Sequence, residues 1–165
     1  MPNDYIDPYE EAEQKQEEIL LNENQLLSGL LEMAKDKDMN AGARKIPIER
    51  DGKLLIEFRV RPISEDESQE AWRKATKFTP YKKNEPRKAL ETNTALNRSY
   101  LIYKATVDED RAKTWDNKQL QDALQVFQGV DVIDRVLRAG EKARVIDVID
   151  EISGFDDDLN EEAKN

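Results

Sequence analysis

The sequence contains no cysteine and no histidine. Disulfides, zinc sites with thiolate or imidazole ligands and cysteine nucleophiles are therefore excluded, and the commonest general base is missing. The sequence also lacks a G-x-S-x-G elbow, a P-loop and a G-x-G-x-x-G fingerprint. We therefore expect no catalytic residue, no metal site and no cofactor, and we expect that the protein is not an enzyme.

Long apolar runs are also absent. None approaches the roughly 18 residues that a membrane span requires, and the acidic start does not resemble a signal peptide. Charged residues make up 38% of the chain, and 36 acids against 26 bases give a net charge of −10. The missing span and signal peptide predict a soluble intracellular protein with no membrane partner. The acidic charge balance disfavours nucleic acid, whose binding proteins present a basic face.

The first 43 residues are expected to form an acidic arm that carries an amphipathic helix. Helical composition begins at Pro8, and Asn22 and Asn24 are expected to interrupt it before a second helical segment. That segment places apolar side chains at helical spacing, which makes them a candidate protein contact: Leu26, Leu27, Leu30 and Leu31. Two alternatives remain open at this stage. The helix packs on the rest of the chain, or it detaches and enters a groove on a partner or on a second copy.

Residues 44–155 are expected to form a mainly α (α+β) domain with one β-hairpin at about 45–61. The hairpin is indicated by Asp51-Gly52 between two extended runs, with Pro47 on an outer edge. Ser64 with Glu67 is typical of a capping box that begins a helix. Further along, two stripes are expected to share one core in a C-terminal αα-hairpin, with Gly140 ending the first helix: Val132, Ile133, Val136, Leu137; and Val145, Ile146, Ile149, Ile152. An acidic tail, 156–165, follows.

Between Arg73 and Lys88 the local charge reverses, with seven bases against the single acid Glu85. Pro80 and Pro86 bracket the loop at its centre. We expect the following residues to make an electrostatic contact with an acidic protein segment: Lys82, Lys83, Arg87 and Lys88. A solvated loop and a phosphate-binding patch with interleaved aromatic residues are the alternatives.

Several idiosyncratic stretches resemble one protein family. The hairpin is followed by RPISEDE and by AWRKATKFTPYKK, and later by YLIYKATVDEDRAKTWDNKQLQDAL and VIDVIDEISGF. Together these stretches, from about Arg44 to Phe155, resemble the XkdN-like tail assembly chaperones of Bacillus-type prophages with contractile tails.

The resemblance implies a non-catalytic helper of phage tail morphogenesis in the bacterial cytoplasm. Such chaperones are thought to escort the tape measure protein and to help recruit tail tube subunits around it. The tape measure protein is therefore the expected partner, with the tail tube protein and a second copy of the chain as further candidates. Two other functions remain open: a structural tail component retained in the virion, and a regulatory module that binds nucleic acid through the basic segment.

Overall fold

The structure is a computed structural model that describes residues 8–36 and 42–155. The chain separates into two compact units, Met1–Asp38 and Met39–Asn165. The described residues form seven helices and four strands, a mainly α (α+β) fold as the sequence predicts. The elements are α1 Pro8–Asp36, β1 Arg44–Arg50, β2 Lys53–Val60, α2 Glu65–Ala75, β3 Thr76–Phe78, β4 Ala89–Thr92, α3 Thr94–Ala105, α4 Asp108–Lys113, α5 Lys118–Leu124, α6 Gly129–Val136 and α7 Ala139–Ser153.

The first unit consists of α1, which runs for 29 residues without a break. The interruption expected at Asn22 and Asn24 is wrong, since both residues lie within the helix. Asparagine costs well under 1 kcal/mol inside a helix, which the good helix formers on either side offset. Gly29 is also accommodated, in open space. Among the helices the structure describes, none is long and apolar enough to cross a membrane.

The predicted hairpin is confirmed as β1 and β2. Asp51 and Gly52 both have positive φ, 53° and 75°, as a two-residue type I′ turn requires. Strand pairing runs from Arg44↔Val60 to Arg50↔Lys53, with a bulge that leaves Leu55 without a partner. On its other edge β2 is joined to the end of α3, where Arg61 N–H donates to the carbonyl of Ala105.

The core of the second unit forms where this hairpin meets α3, α6 and α7. α3 lies at its centre and packs against α2, α6 and α7. The side chains that are almost completely buried include Phe58, Val60, Ile102, Trp115, Val132, Ile133, Val145 and Ile149. Trp115 stacks edge-on against Phe58, with ring centroids 5.2 Å apart, and its indole N–H donates to the Thr106 hydroxyl at 2.9 Å. The largest buried side chain is thus both packed and hydrogen-bonded.

The common core expected for the two C-terminal stripes is confirmed, and α6 and α7 both pack against α3. The position of Gly140 differs from expectation. It lies in the first turn of α7, and Leu137 and Arg138 separate the two helices. Gly129 begins α6, where a Cβ would lie 2.5 Å from the Tyr103 ring, so glycine is needed there for a close approach. The preceding helix, α5, is capped by Gln125 in the left-handed conformation.

A second hairpin, β3–β4, is a feature that the sequence did not indicate. It follows α2 directly and continues until Asn93, whose side chain caps α3. Its two strands are short, and ten residues, 79–88, connect them. No Asn-Gly or Asp-Gly pair marks the turn, which explains why the hairpin pattern was missed. The predicted capping box of Ser64 and Glu67 at the start of α2 is confirmed.

Candidate protein-binding surfaces

The four predicted leucines lie together on α1 and are exposed. We call Leu26, Leu27, Leu30 and Leu31 the leucine face. Further apolar side chains extend it in both directions along the helix: Ile19, Leu20 and Met33. Leu21 is also exposed, but helical spacing places it on the opposite side of α1, beside Gln25. All eight are between 53% and 68% exposed. An amphipathic helix usually buries such a stripe against another element, and one helix therefore offers an unusually large apolar surface for contact.

The arrangement of these side chains follows from helical spacing. Ile19, Leu26, Leu30 and Met33 succeed one another at seven, four and three residues, so they form one row along α1. Leu20, Leu27 and Leu31 form an adjacent row with the same spacing. Around them the helix carries eight acidic and two basic residues, a net charge of −6. Glu23 lies within these rows, between Ile19 and Leu26, so the apolar surface is continuous from Leu26 to Met33 and is interrupted by one acid before it.

The predicted basic residues lie in the connection between β3 and β4. We call Lys82, Lys83, Arg87 and Lys88 the basic cluster, and all four are exposed. Lys82 and Glu85 form an isolated bridge that closes a tight turn. Asn84 adopts a left-handed φ of 68° within that turn, a conformation that asparagine tolerates better than most residues. The two lysines are thus presented at the tip of a hairpin.

Arg87 is held more firmly than the two lysines. Its guanidinium lies 5.5 Å from the centre of the Phe78 ring, and its Nε donates to the carbonyl of Thr79 at 3.0 Å. Phe78 in turn packs edge-on against Trp72, with 5.8 Å between ring centroids. Trp72 itself is 41% exposed. The cluster therefore combines exposed ammonium groups with one arginine anchored on an aromatic ring.

A groove that the sequence did not reveal lies between the first hairpin and the helices α5 and α6. We call it the apolar groove, and its volume is about 270 Å³. Its lining is mostly aliphatic: Ile48, Leu55, Ile56, Leu120, Val136 and Leu137, with Trp115, Thr114, Arg50 and Lys113 completing it. These residues come from distant parts of the sequence, so no local pattern could have identified the groove.

A larger and more polar pocket of about 480 Å³ lies against α3 and the start of α6. Its lining includes Tyr100, Tyr103 and three lysines, and Phe127 stands at its edge with 94% of its surface exposed. Lys74 and Lys104 are both engaged by Glu70 at 3.2 Å. The Tyr103 hydroxyl donates to Asp116, and burial together with this carboxylate raises the tyrosine pKa. Lys74, Lys104 and Tyr103 thus already have partners for their polar groups.

An internal ion pair, Arg50 with Glu141, joins elements next to the apolar groove. Arg50 donates to both carboxylate oxygens of Glu141, at 2.6 and 3.1 Å, and to the carbonyl of Val136 at 2.6 Å. The hydrogen bonds from Arg50 lower the pKa of Glu141 to about 2. Burial acts in the opposite direction, and the backbone N–H of Arg138 lowers this pKa further. Glu141 is 3% exposed. The pair joins β1 to the start of α7 and the end of α6.

The part of the chain that the structure describes contains no group of three or more acidic residues placed to hold a metal ion. The acidic residues around the α6 and α7 stripes have other roles. Asp134, for example, accepts hydrogen bonds from the hydroxyl of Ser99 and from the buried ammonium of Lys142. This carboxylate therefore balances a buried cation.

Comparison with known proteins identifies the family. Residues 27–164, most of the chain, match the family model of the phage XkdN-like tail assembly chaperone protein, TAC. A search of curated proteins finds no match. Among solved structures, the crystal structure of the protein yqbn is 22% identical over 69% of this chain and 87% of that chain, with a TM-score of 0.44. The assignment rests on the family model. The chain belongs to the XkdN-like family of phage tail assembly chaperones.

Proposed function

We propose that this tail assembly chaperone is a non-catalytic, cytoplasmic protein that binds the tape measure protein during tail morphogenesis. The leucine face is the main contact, and the basic cluster adds an electrostatic contact. The tail tube protein is a second partner, recruited once the tape measure protein is bound. One observation carries the proposal, namely the eight large apolar side chains of α1 that are each more than half exposed.

The physical reasoning concerns what the client needs. A tape measure protein is a long helical chain whose apolar stripes would aggregate if they remained in water. A helper must cover these stripes with apolar side chains and must keep the complex dispersed. The leucine face supplies the apolar side chains, while a net charge of −10 per copy supplies the repulsion between complexes.

The test is co-expression with the tape measure protein of the same phage, followed by size-exclusion chromatography with light scattering. We expect the tape measure protein to become soluble and to elute with several copies of the chaperone. If it stays insoluble while the chaperone elutes alone, the proposal is wrong.

A variant with alanine at all four leucines of the leucine face tests the assignment of the contact. Burial of one leucine contributes about 1.5 kcal/mol or more. We therefore expect capture of the tape measure protein to weaken by well over tenfold. Alanine is the best helix former, so α1 should persist in circular dichroism. The matched control is Gln25→Ala with Ser28→Ala, on the polar side of the same helix. Equal capture by both variants would exclude the leucine face.

A further inference from the structure

The apolar groove has the size and lining of a receptor for aliphatic side chains. Its volume of about 270 Å³ lies below the roughly 300–1,000 Å³ typical of pockets for small molecules and cofactors. Trp115, which is 1% exposed, forms a closed floor. The groove is therefore suited to one or two branched side chains that project from a helix laid across it.

The bulge in the first hairpin holds an apolar side chain at the edge of this groove. Ile48 pairs with Ile56 and Glu49 pairs with Leu54, so Leu55 is the extra residue. A bulge redirects the side chain of the residue that it leaves unpaired. Leu55 lines the groove and still keeps 46% of its surface exposed. Within the second unit as the structure describes it, this apolar side chain is left half-covered and can be buried further by an added helix.

The charges at the groove define the chemistry of that partner. Arg50 and Lys113 line the groove, and no carboxylate does, although the chain as a whole carries a net charge of −10. Glu141 already accepts from Arg50, whereas the side chain of Lys113 is exposed. A fitting occupant presents aliphatic side chains in a row, with acidic residues beside them.

Such an occupant exists in the chain itself. The leucine face is a row of exposed aliphatic side chains on a helix of net charge −6. Pairing of two α1 helices with each other would bring two such acidic surfaces together, which is electrostatically unfavourable. The apolar groove offers the same helix an aliphatic lining with cations and no acids. Charge complementarity therefore favours the groove over a second α1 helix.

We propose that the apolar groove of one copy receives the leucine face of a second copy. Such a contact joins two different surfaces, so it links copies head to tail and does not close into a symmetric dimer. The inference rests on the proposed function in one respect: the leucine face that binds the client is covered by another copy while the client is absent. The chaperone thereby protects its own apolar surface until the tape measure protein displaces the neighbouring copy.

Two variants separate the halves of this contact. The helix variant, Leu27→Glu with Leu30→Glu, places two charges in the leucine face. Its matched control, Gln25→Glu with Ser28→Glu, adds the same charges at the same spacing on the polar side of α1. The groove variant is Leu55→Glu, and its control is Leu54→Glu, which alters the neighbouring residue of similar exposure that does not line the groove. Circular dichroism and thermal unfolding confirm that each variant is folded.

The measurement is the mass of the chaperone alone, determined by light scattering over a range of concentrations. We expect the natural chain and both controls to grow beyond the 19.1 kDa monomer as the concentration rises. The helix variant and the groove variant should each associate at least about tenfold more weakly, because a carboxylate in an apolar contact is costly. An equimolar mixture of the two variants should form a complex of one copy of each, since one supplies an intact groove and the other an intact helix.

Three results would overturn the inference. A natural chain that stays monomeric at all concentrations removes the contact altogether. Unchanged association of the groove variant assigns the contact to the helices alone. A mixture that stays monomeric shows that the two surfaces do not bind each other. None of these measurements includes the tape measure protein, so failure here is distinct from failure of the proposed client binding.

Discussion

Glu141→Gln removes one charge from the centre of the ion pair that joins the hairpin to α7. Glutamine has nearly the same shape and can still accept the backbone N–H of Arg138, which Glu141 accepts at 2.8 Å, so the start of α7 is preserved. The change therefore acts on Arg50, which loses a bidentate carboxylate at 2.6 and 3.1 Å. The guanidinium keeps only its bond to the carbonyl of Val136 and a weaker amide partner.

The magnitude follows from the lowered pKa of Glu141. Its pKa falls from 4.5 to about 2 on folding, and each unit corresponds to about 1.4 kcal/mol. The charged carboxylate thus contributes about 3 kcal/mol to the free energy of unfolding. Because the folded pKa is depressed, this contribution is complete above pH 4.5 and disappears progressively as the pH falls toward 2. We expect Glu141→Gln to cost about 2–3 kcal/mol at pH 7, since Arg50 keeps partial access to water.

The assay is urea unfolding of the natural chain and the variant at several pH values between 7 and 3. The matched control is Glu151→Gln in the same helix, which breaks the exposed pair with Arg44 and should cost less than about 1 kcal/mol. The difference between the natural chain and Glu141→Gln should shrink below pH 4.5, because this glutamate becomes protonated in the unfolded chain while its pKa of about 2 keeps it charged in the folded one. A difference that stays constant with pH, or that equals the control, would refute the assignment of this stability to the buried charge.

Two further predictions concern a glycine and the basic cluster. Gly129→Ala should lower the free energy of unfolding by about 1–3 kcal/mol, because the new methyl group would lie 2.5 Å from a Tyr103 ring carbon. The measurement is thermal unfolding. The control is Gly140→Ala, which lies in open space within a helix and should be neutral or stabilising. Lys82→Glu with Lys83→Glu should leave stability unchanged but weaken capture of the tape measure protein at low salt. At high salt the variant and the natural chain should capture it equally, because salt screens the charges. An unchanged affinity at low salt would show that the basic cluster takes no part in the contact.

The parts of the fold that follow from local rules could be predicted from the sequence. Asp51-Gly52 fixed the first hairpin, because few residues other than this pair accept positive φ at both turn positions. The apolar stripes of α6 and α7 predicted part of the core. In each helix the apolar residues, such as those that follow Val132 and Val145, recur at helical spacing. The positions of the four leucines on one helix face were predictable for the same reason.

Features that depend on contacts between distant residues were not predictable. The bond between Arg50 and Glu141 spans 91 residues, and nothing in the local sequence marks this glutamate as buried. The need for glycine at position 129 comes from the Tyr103 ring, which belongs to a different helix. The second hairpin is anchored at its base, where the Asn93 N–H donates to the carbonyl of Ala75 and the hydroxyls of Thr76 and Thr92 bond each other, although its short strands have weak propensities. The apolar groove likewise exists only once the hairpin, α5 and α6 have come together.

The edges of the first hairpin bear on how copies of this protein meet other chains. Pro47 has no N–H to offer along β1, and β2 is bonded on its outer side to the end of α3 through Arg61 and Val107. The β1 edge at Pro47 and the C-terminal end of β2 are therefore poor templates for an added strand. An unpaired strand edge is a site where another chain can add a strand, and repeated addition leads toward fibrils. With strand addition disfavoured there, contacts with other chains fall to side-chain surfaces such as the exposed face of α1.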